Sequence, residues 1–270
     1  MDNFTDLRLG ALACHKLTDP LLKVEQTQKL HKLWFAGELT LNNDDVTVPD
    51  VAGHPEKPEL VAPRDLPRRR NSAGTGVATL IHAVTHIEFN AINLGLDAIA
   101  RFPDLPRKFY SDWLQVTFEE SQHFTLLRNH LITLGFDYGD FPAHGGMWEM
   151  AQKTHHDVLI RMALVPRVLE ARGLDVTPKM MDKLRGGGDH RAVEILEIIL
   201  QEEIGHVKIG THWFNYLCEQ RNVDSLATFK DLLDNYFSGE LRGPFNTEAR
   251  KLADFTDEEM ALLEAGSLAR

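Results

Sequence analysis

Four stretches of this chain set apolar residues three and four positions apart, the spacing that lays side chains along one face of an α-helix, and a glutamate interrupts each face. The first stripe reads Val77, Ile81, Val84, Glu88, Ala91, Gly95, Ala98, with the carboxylate in its middle. The second reads Trp113, Val116, Glu120, His123 with Phe124, then Leu127, Leu131 and Leu134. The third, Leu159, Ala163, Pro166, Glu170, is less regular, because Pro166 lacks a backbone donor and kinks a helix, and Gly173 and Pro178 follow. The fourth reads Val193, Leu196, Leu200, Glu203, His206, Gly210, Trp213, Leu217.

A lone glutamate on an amphipathic helix is ordinarily a solvated charge. Four inward units are a different case, since ionised carboxylates buried at one level repel one another and lose their hydration. A pair of divalent cations removes that cost; mutual hydrogen bonds and shared protons in a structural bundle without metal are the other way to meet it. The order of the candidate ligands also repeats: Glu88 precedes Glu120-x-x-His123 by 32 residues, and Glu170 precedes Glu203-x-x-His206 by 33, each about one long helix plus a turn. The tetrapeptide alone is expected about once by chance in such a composition. Its position on apolar stripes supplies the specificity, because Glu and His at i and i+3 share a helix face and can turn toward one point. One Glu from each of two helices and Glu-x-x-His from each of two more is the ligand set of bundles that hold two irons or two manganese ions. Glu88, Glu120, His123, Glu170, Glu203 and His206 are therefore the expected metal ligands.

The rest of the chain reads as helices around that core. Two helical patterns, 3–15 and 18–36, break at Asp19-Pro20. Residues 37–71 lose periodicity and contain Pro49, Pro55, Pro58, Pro63 and Pro67, as an extended strap over the helices would. Four long helices are expected at about 72–101, 106–134, 147–173 and 189–220, the third resuming toward Leu184. A helix near 224–237, a turn at Gly243-Pro244 and a last helix opened by the capping box Thr256-Asp-Glu-Glu259 complete the chain. Phe102-Pro-Asp-Leu-Pro106 is short enough to demand an antiparallel hairpin. Residues 135–146 are twelve in number and reach about 40 Å when extended, the length of a 28-residue helix. That length suits a crossover along the bundle, as in ferritin-like folds with one long connection. The expected fold is thus all-α: a ferritin-like four-helix bundle over 72–221, an N-terminal helical extension and strap over 1–71, and C-terminal helices over 222–270.

Composition excludes several functions. A net charge of −11 disfavours broad contact with nucleic acid or anionic membranes, and the run Arg64, Arg68 to Arg70 reads as a solvated loop. No segment approaches the roughly 20 apolar residues of a membrane span, and the N-terminus carries charges before any signal-length apolar stretch, so a cytoplasmic location is expected. Cys14 and Cys218 stand alone in helical patterns and read as core residues.

Carboxylate and imidazole donors suit iron first and manganese second, whereas structural zinc more often recruits cysteine. Six protein ligands on two metals leave coordination positions open, which points to oxygen activation by a pair of irons and oxidation or hydroxylation of a small organic substrate, with an electron donor as partner. Iron handling or peroxide scavenging without an organic substrate is the alternative, and oligomers are compatible with either. Asp157 with Arg161, Glu119 and Glu202 are candidates to orient ligands. His82 and His86 make His-x-x-x-His but fall off the Glu88 stripe, so His86 reads as a hydrogen-bonding partner between helices. Tyr110, Trp113 and Tyr138 are aromatic candidates for a substrate or electron path, with core packing the ordinary role of such residues.

Several runs carry a resemblance over nearly the whole chain. They are His86-Ile-Glu88 with Ala91-Ile92, Arg101-Phe102-Pro103, Asp112-Trp113, Glu120-Ser-Gln-His123-Phe124, Tyr138-Gly-Asp140, Val165-Pro166 with Leu169-Glu-Ala-Arg-Gly-Leu-Asp175, Glu202-Glu-Ile-Gly-His206-Val207, and Pro244-Phe245-Asn246. The chain resembles an uncharacterised bacterial family of ferritin-like proteins described only as a domain of unknown function. More distantly it resembles the di-iron tRNA hydroxylases, through the ligand pattern and the Glu170-Ala-Arg172 run alone. The closer resemblance implies the fold and the same six metal positions. The distant one makes a tRNA-modifying hydroxylase a further alternative, although the acidic charge offers no tRNA surface.

Overall fold

The computed structural model describes residues 4–66, 75–237, 241 and 243–268, so Arg68 to Arg70 of the basic run lie outside the described residues. The described residues are helical, joined by loops and by two isolated parallel bridges, Asp6 with Thr40 and Leu60 with Ala143. No helix among them is long and apolar enough to cross a membrane. The chain divides into two compact units, 1–152 and 153–270.

The first unit is organised around α3 (Thr75–Arg101) and α4 (Arg107–Thr133), a hairpin closed by the five residues that the sequence marks as too short for any other arrangement. Tyr110 Oη donates to the Phe102 carbonyl at 2.8 Å and fixes the turn. The two helices approach closely at Gly95, where a Cβ would lie 2.1 Å from Thr117 Oγ1. α1 (Leu7–Lys16) packs on α3 and α2 (Pro20–Phe35) on α4. α1 begins later than the expected residue 3, because Asp6 caps it, and α2 begins at the expected Asp19-Pro20 break. Asp6 accepts from the Arg8 and Leu9 amides at 3.0 and 3.1 Å, and Asp19 from those of Leu21 and Leu22 at 2.8 and 2.9 Å, ahead of Pro20 in the first turn.

The strap is held by buried cations. Without strand partners its carbonyls need other donors, since an unmet buried carbonyl costs about 1–3 kcal/mol. The Arg8 guanidinium donates to the carbonyls of Asn42, Asp44 and Ala100 at 3.1, 2.8 and 2.9 Å. Lys23 Nζ donates to those of His15 and Gly53 at 3.1 and 2.8 Å, and also to Asn93 Oδ1 on α3. After α4 the chain runs back beside α3. Gly139 donates to His82 Nε2 at 2.9 Å, Ala143 exchanges bonds with the strap at Glu59 and Val61, and α5 (Gly146–Lys153) brings Trp148 Nε1 to the Asp50 carbonyl at 2.9 Å.

The second unit corrects the expected third helix. It does not run unbroken from 147; it stops before Asp157, whose side chain caps a new helix, α6 (Val158–Leu164), by accepting from Leu159 N at 2.7 Å. Pro166 then sits in a π-helical turn, Val165–Glu170, which accommodates its missing donor without ending the segment. From there α7 (Ala171–Gly186) passes straight through Gly173, where a break was expected before the helix resumed toward Leu184, and through Pro178. α8 (His190–Arg221) packs along α6 and α7, and α9 (Ser225–Tyr236) follows it. A short α10 (Thr247–Leu252), capped by Asn246, was not anticipated, whereas the capping box before α11 (Asp257–Leu268) forms as read: Thr256 N to Glu259 Oε2 is 3.0 Å and Glu259 N to Thr256 Oγ1 is 3.1 Å. Glu259 also binds buried Arg167 of the π turn, whose guanidinium lies 4.5, 4.2 and 4.8 Å from the ring centres of Phe214, Phe229 and Phe255.

The π turn meets α8 at Gly210, where a Cβ would lie 2.4 Å from the Pro166 ring. Alanine ordinarily stabilises a helix interior relative to glycine by about 1 kcal/mol. Here the rigid ring cannot yield, so Gly210→Ala is expected to lower the stability of the protein by about 1–3 kcal/mol in urea unfolding. A neutral or stabilising substitution would contradict this packing.

Candidate metal centre

The six residues singled out by the stripes are all buried. In the first unit, α3 supplies Glu88 and α4 supplies Glu120 and His123 from adjacent turns of one face. His123 Nδ1 lies 3.2 Å from Glu88 Oε2 and 3.4 Å from Glu120 Oε2. The three residues offer ligand atoms within 4.8 Å of one another. Burial, and next the charge of Glu120, push the Glu88 carboxyl well above its usual range, while His123 pulls it the other way. Two carboxylates and one imidazole in so small a volume are oxygen and nitrogen donors that could hold a metal ion.

In the second unit, α8 carries Glu203 and His206 on one face, with Nδ1 of the histidine 3.7 Å from a carboxylate oxygen of the glutamate. Glu170 closes the π turn. Pro166 and Gly210, the contact between that turn and α8, lie four residues from Glu170 and from His206 respectively. The turn thus fixes the register of Glu170 relative to Pro166. A regular helix through Pro166 would give a different register, because a π turn takes more residues per revolution than an α-helix does.

Of the charged residues considered for orienting ligands, Asp157 and Glu119 have these partners. Asp157 caps α6 and pairs with Arg221 at 2.7 and 2.9 Å, not with Arg161, whose Nε donates to Thr154 Oγ1 at 2.8 Å. Glu119 accepts from Gln115 at 2.8 Å along α4. Tyr110 serves the hairpin turn, and Trp113 is a core residue. Tyr138 stacks among Phe89, Phe124, His82 and His86, beside the α3–α4 pair.

His82 and His86 do not act as a chelating pair. His82 Nε2 accepts from the Gly139 amide, and His86 is bonded at both ring nitrogens, to Tyr138 Oη at 2.9 Å and to Asn90 Nδ2 at 3.0 Å. His86 is thus a hydrogen-bonding partner, but to its own helix and to the 135–145 connection instead of between helices as expected. Burial is the main reason that both imidazoles titrate at about 4. The buried Lys23–Asn93 contact joins α2 to α3 and the His86–Tyr138 bond joins α3 to the 135–145 connection, so both escape sequence reasoning.

A family model described as a protein of unknown function (DUF455) matches residues 16–261. The chain is 52% identical over 218 residues to an uncharacterized protein of Haemophilus influenzae, covering 78% of this chain and 76% of that one. No solved structure matches.

The two depressed histidines set a pH dependence. Between pH 4 and the usual 6.5, the unfolded chain binds protons at His82 and His86 that the folded chain refuses. Their contribution to stability is present above pH 6.5 and is lost as the pH falls toward 4. The melting temperature of the wild type is expected to fall more steeply across this window than that of His82→Gln with His86→Gln; parallel profiles would show that the two rings are not the sensitive groups.

Proposed function

The chain belongs to the DUF455 family of proteins of unknown function, and from its residues we propose that it is a ferritin-like di-iron carboxylate protein, an oxidase or monooxygenase acting on a small organic substrate. The observation that carries this reading is the buried Glu88, Glu120 and His123 set, with its ligand atoms within 4.8 Å of one another. The second set, Glu170, Glu203 and His206, repeats its composition and its spacing in the sequence. Together they would hold two metals, iron in preference to manganese, within a bundle of four helices.

Bound irons would supply redox chemistry toward dioxygen, with electrons from a separate donor. The chain supplies the rest. Glu88 and Glu120 bring negative charge that would balance divalent cations, and His123 and His206 would each ligate through the lone pair of one ring nitrogen of the neutral imidazole. Helical walls around the buried carboxylates keep bulk water away, which strengthens their hold on a cation. Six ligands for two metals leave positions at which a substrate or oxygen can be received.

Protein expressed with iron is expected to carry about two metals per chain, and His123→Ala combined with His206→Ala to lose them. Stability gives a second readout. Glu120→Gln relieves carboxylate crowding in chelator-treated protein and should raise its melting temperature, while lowering that of the metal-loaded protein. A metal content near zero in the wild type, or a loss of stability in both states of Glu120→Gln, would reject the reading.

A further inference from the structure

Apart from the acidic residues, the first unit contains a cavity of about 440 Å³ between the strap and α3. Its volume falls in the range of small-molecule sites. Pro55, Pro58 and Val61 of the strap line one side, and Phe89, Tyr138 and Trp148 line the other. Asn90 and Asn93, one helical turn apart on α3, add polar groups to a largely apolar lining that also includes His54, His86 and Glu149.

Hydrogen bonding fixes what those polar groups offer. Asn90 Nδ2 donates to the His86 carbonyl at 2.8 Å and lies 3.0 Å from His86 Nε2. An amide nitrogen can only donate, so Nε2 accepts, and a neutral imidazole then carries its proton on Nδ1. Nδ1–H donates to Tyr138 Oη at 2.9 Å. The phenol has thus received a hydrogen bond and keeps its own O–H to give. Burial pushes the Tyr138 phenol up, which keeps that proton in place. Asn93 is set in the same way from the other side: its Oδ1 takes the Lys23 ammonium, so its NH₂ is the group left for the cavity. Two neutral donors, one on each of two fixed side chains, thus border the same aromatic-walled space.

We propose that this cavity is a binding site for a neutral, planar compound bearing a carbonyl or carboxamide on an aromatic ring. The ring packs among Phe89, Tyr138 and Trp148, and the carbonyl oxygen accepts from Tyr138 Oη or Asn93 Nδ2. Two hydrogen-bond donors disfavour a cation. An anion fares little better, because Lys23 already serves three oxygens and Glu149 lies in the lining. The site needs no metal and stands apart from the function proposed above.

Titration of the full-length protein with benzamide, benzoate, benzylamine and toluene, followed by NMR of the ligand ring protons, tests the assignment. Saturable binding is expected for benzamide, in preference to benzoate and benzylamine. Tyr138→Phe keeps the ring and removes one donor, so benzamide should weaken by about three- to tenfold while toluene is unaffected. Asn93→Asp leaves an oxygen for Lys23, removes the other donor, and should weaken benzamide by a similar factor. No saturable benzamide binding up to its solubility limit, benzoate or benzylamine bound as tightly as benzamide, or unchanged benzamide affinity in both variants would overturn the proposal.

Discussion

Carboxylates placed in the middle of apolar helical faces must either be neutralised where they lie or keep their helices from packing. That constraint governs α3 and α4. Glu88 and Glu120 are buried with His123 between them, and the raised affinity of Glu88 for a proton measures how poorly the pocket tolerates two negative charges. A protein gains nothing in stability from such an arrangement compared with leucine at the same positions. Its persistence in a close hairpin, where Gly95 lets the helices approach to the Thr117 hydroxyl, is intelligible if the charge is needed for a cation.

Cations do the complementary work around the hairpin. Arg8 and Lys23 are buried, yet neither is spent on an ion pair with the acidic pocket; they bind main-chain carbonyls of the strap at Asn42, Asp44 and Gly53, and Lys23 also that of His15 on α1. A proline-rich segment without strand partners needs such donors, because its own backbone cannot satisfy it. The same cations tie the strap to α3 through the Ala100 carbonyl and the Asn93 amide. A cavity with aromatic and amide walls is the result, and its polar groups are oriented by bonds made behind them. In the second unit Arg167 has the corresponding role, joining the π turn to the C-terminal helices through Glu259 and three phenylalanine rings.

Where the sequence is legible, the reason is local. Asp19-Pro20, the five-residue hairpin turn and Thr256 to Glu259 each act within one or two turns of chain, and each has the structure its chemistry dictates. The stripes likewise identify the buried face of every long helix, so all six candidate ligands are found buried. Pro166 and Pro178 were harder. A proline removes one hydrogen bond, but whether the helix stops, kinks or widens depends on its neighbours: at Pro166 the π turn packs against Gly210, and α7 continues through Pro178. Asp157 illustrates a further difficulty, since its i, i+4 partner Arg161 was available and the helix began between them instead.

The sequence by itself determined that this chain is helical, which faces its helices bury, and which glutamates and histidines those faces contain, because periodicity and capping are properties of neighbouring residues. Tertiary structure alone decided that His123 stands between two carboxylates from different helices, that His86 is bonded at both nitrogens to Tyr138 and Asn90, and that Lys23 serves Asn93. His86–Asn90 and His123–Glu120 lie within single helices; the other pairings join residues distant in the chain, and their geometry follows from how α2, α4 and the 135–145 connection settle on α3.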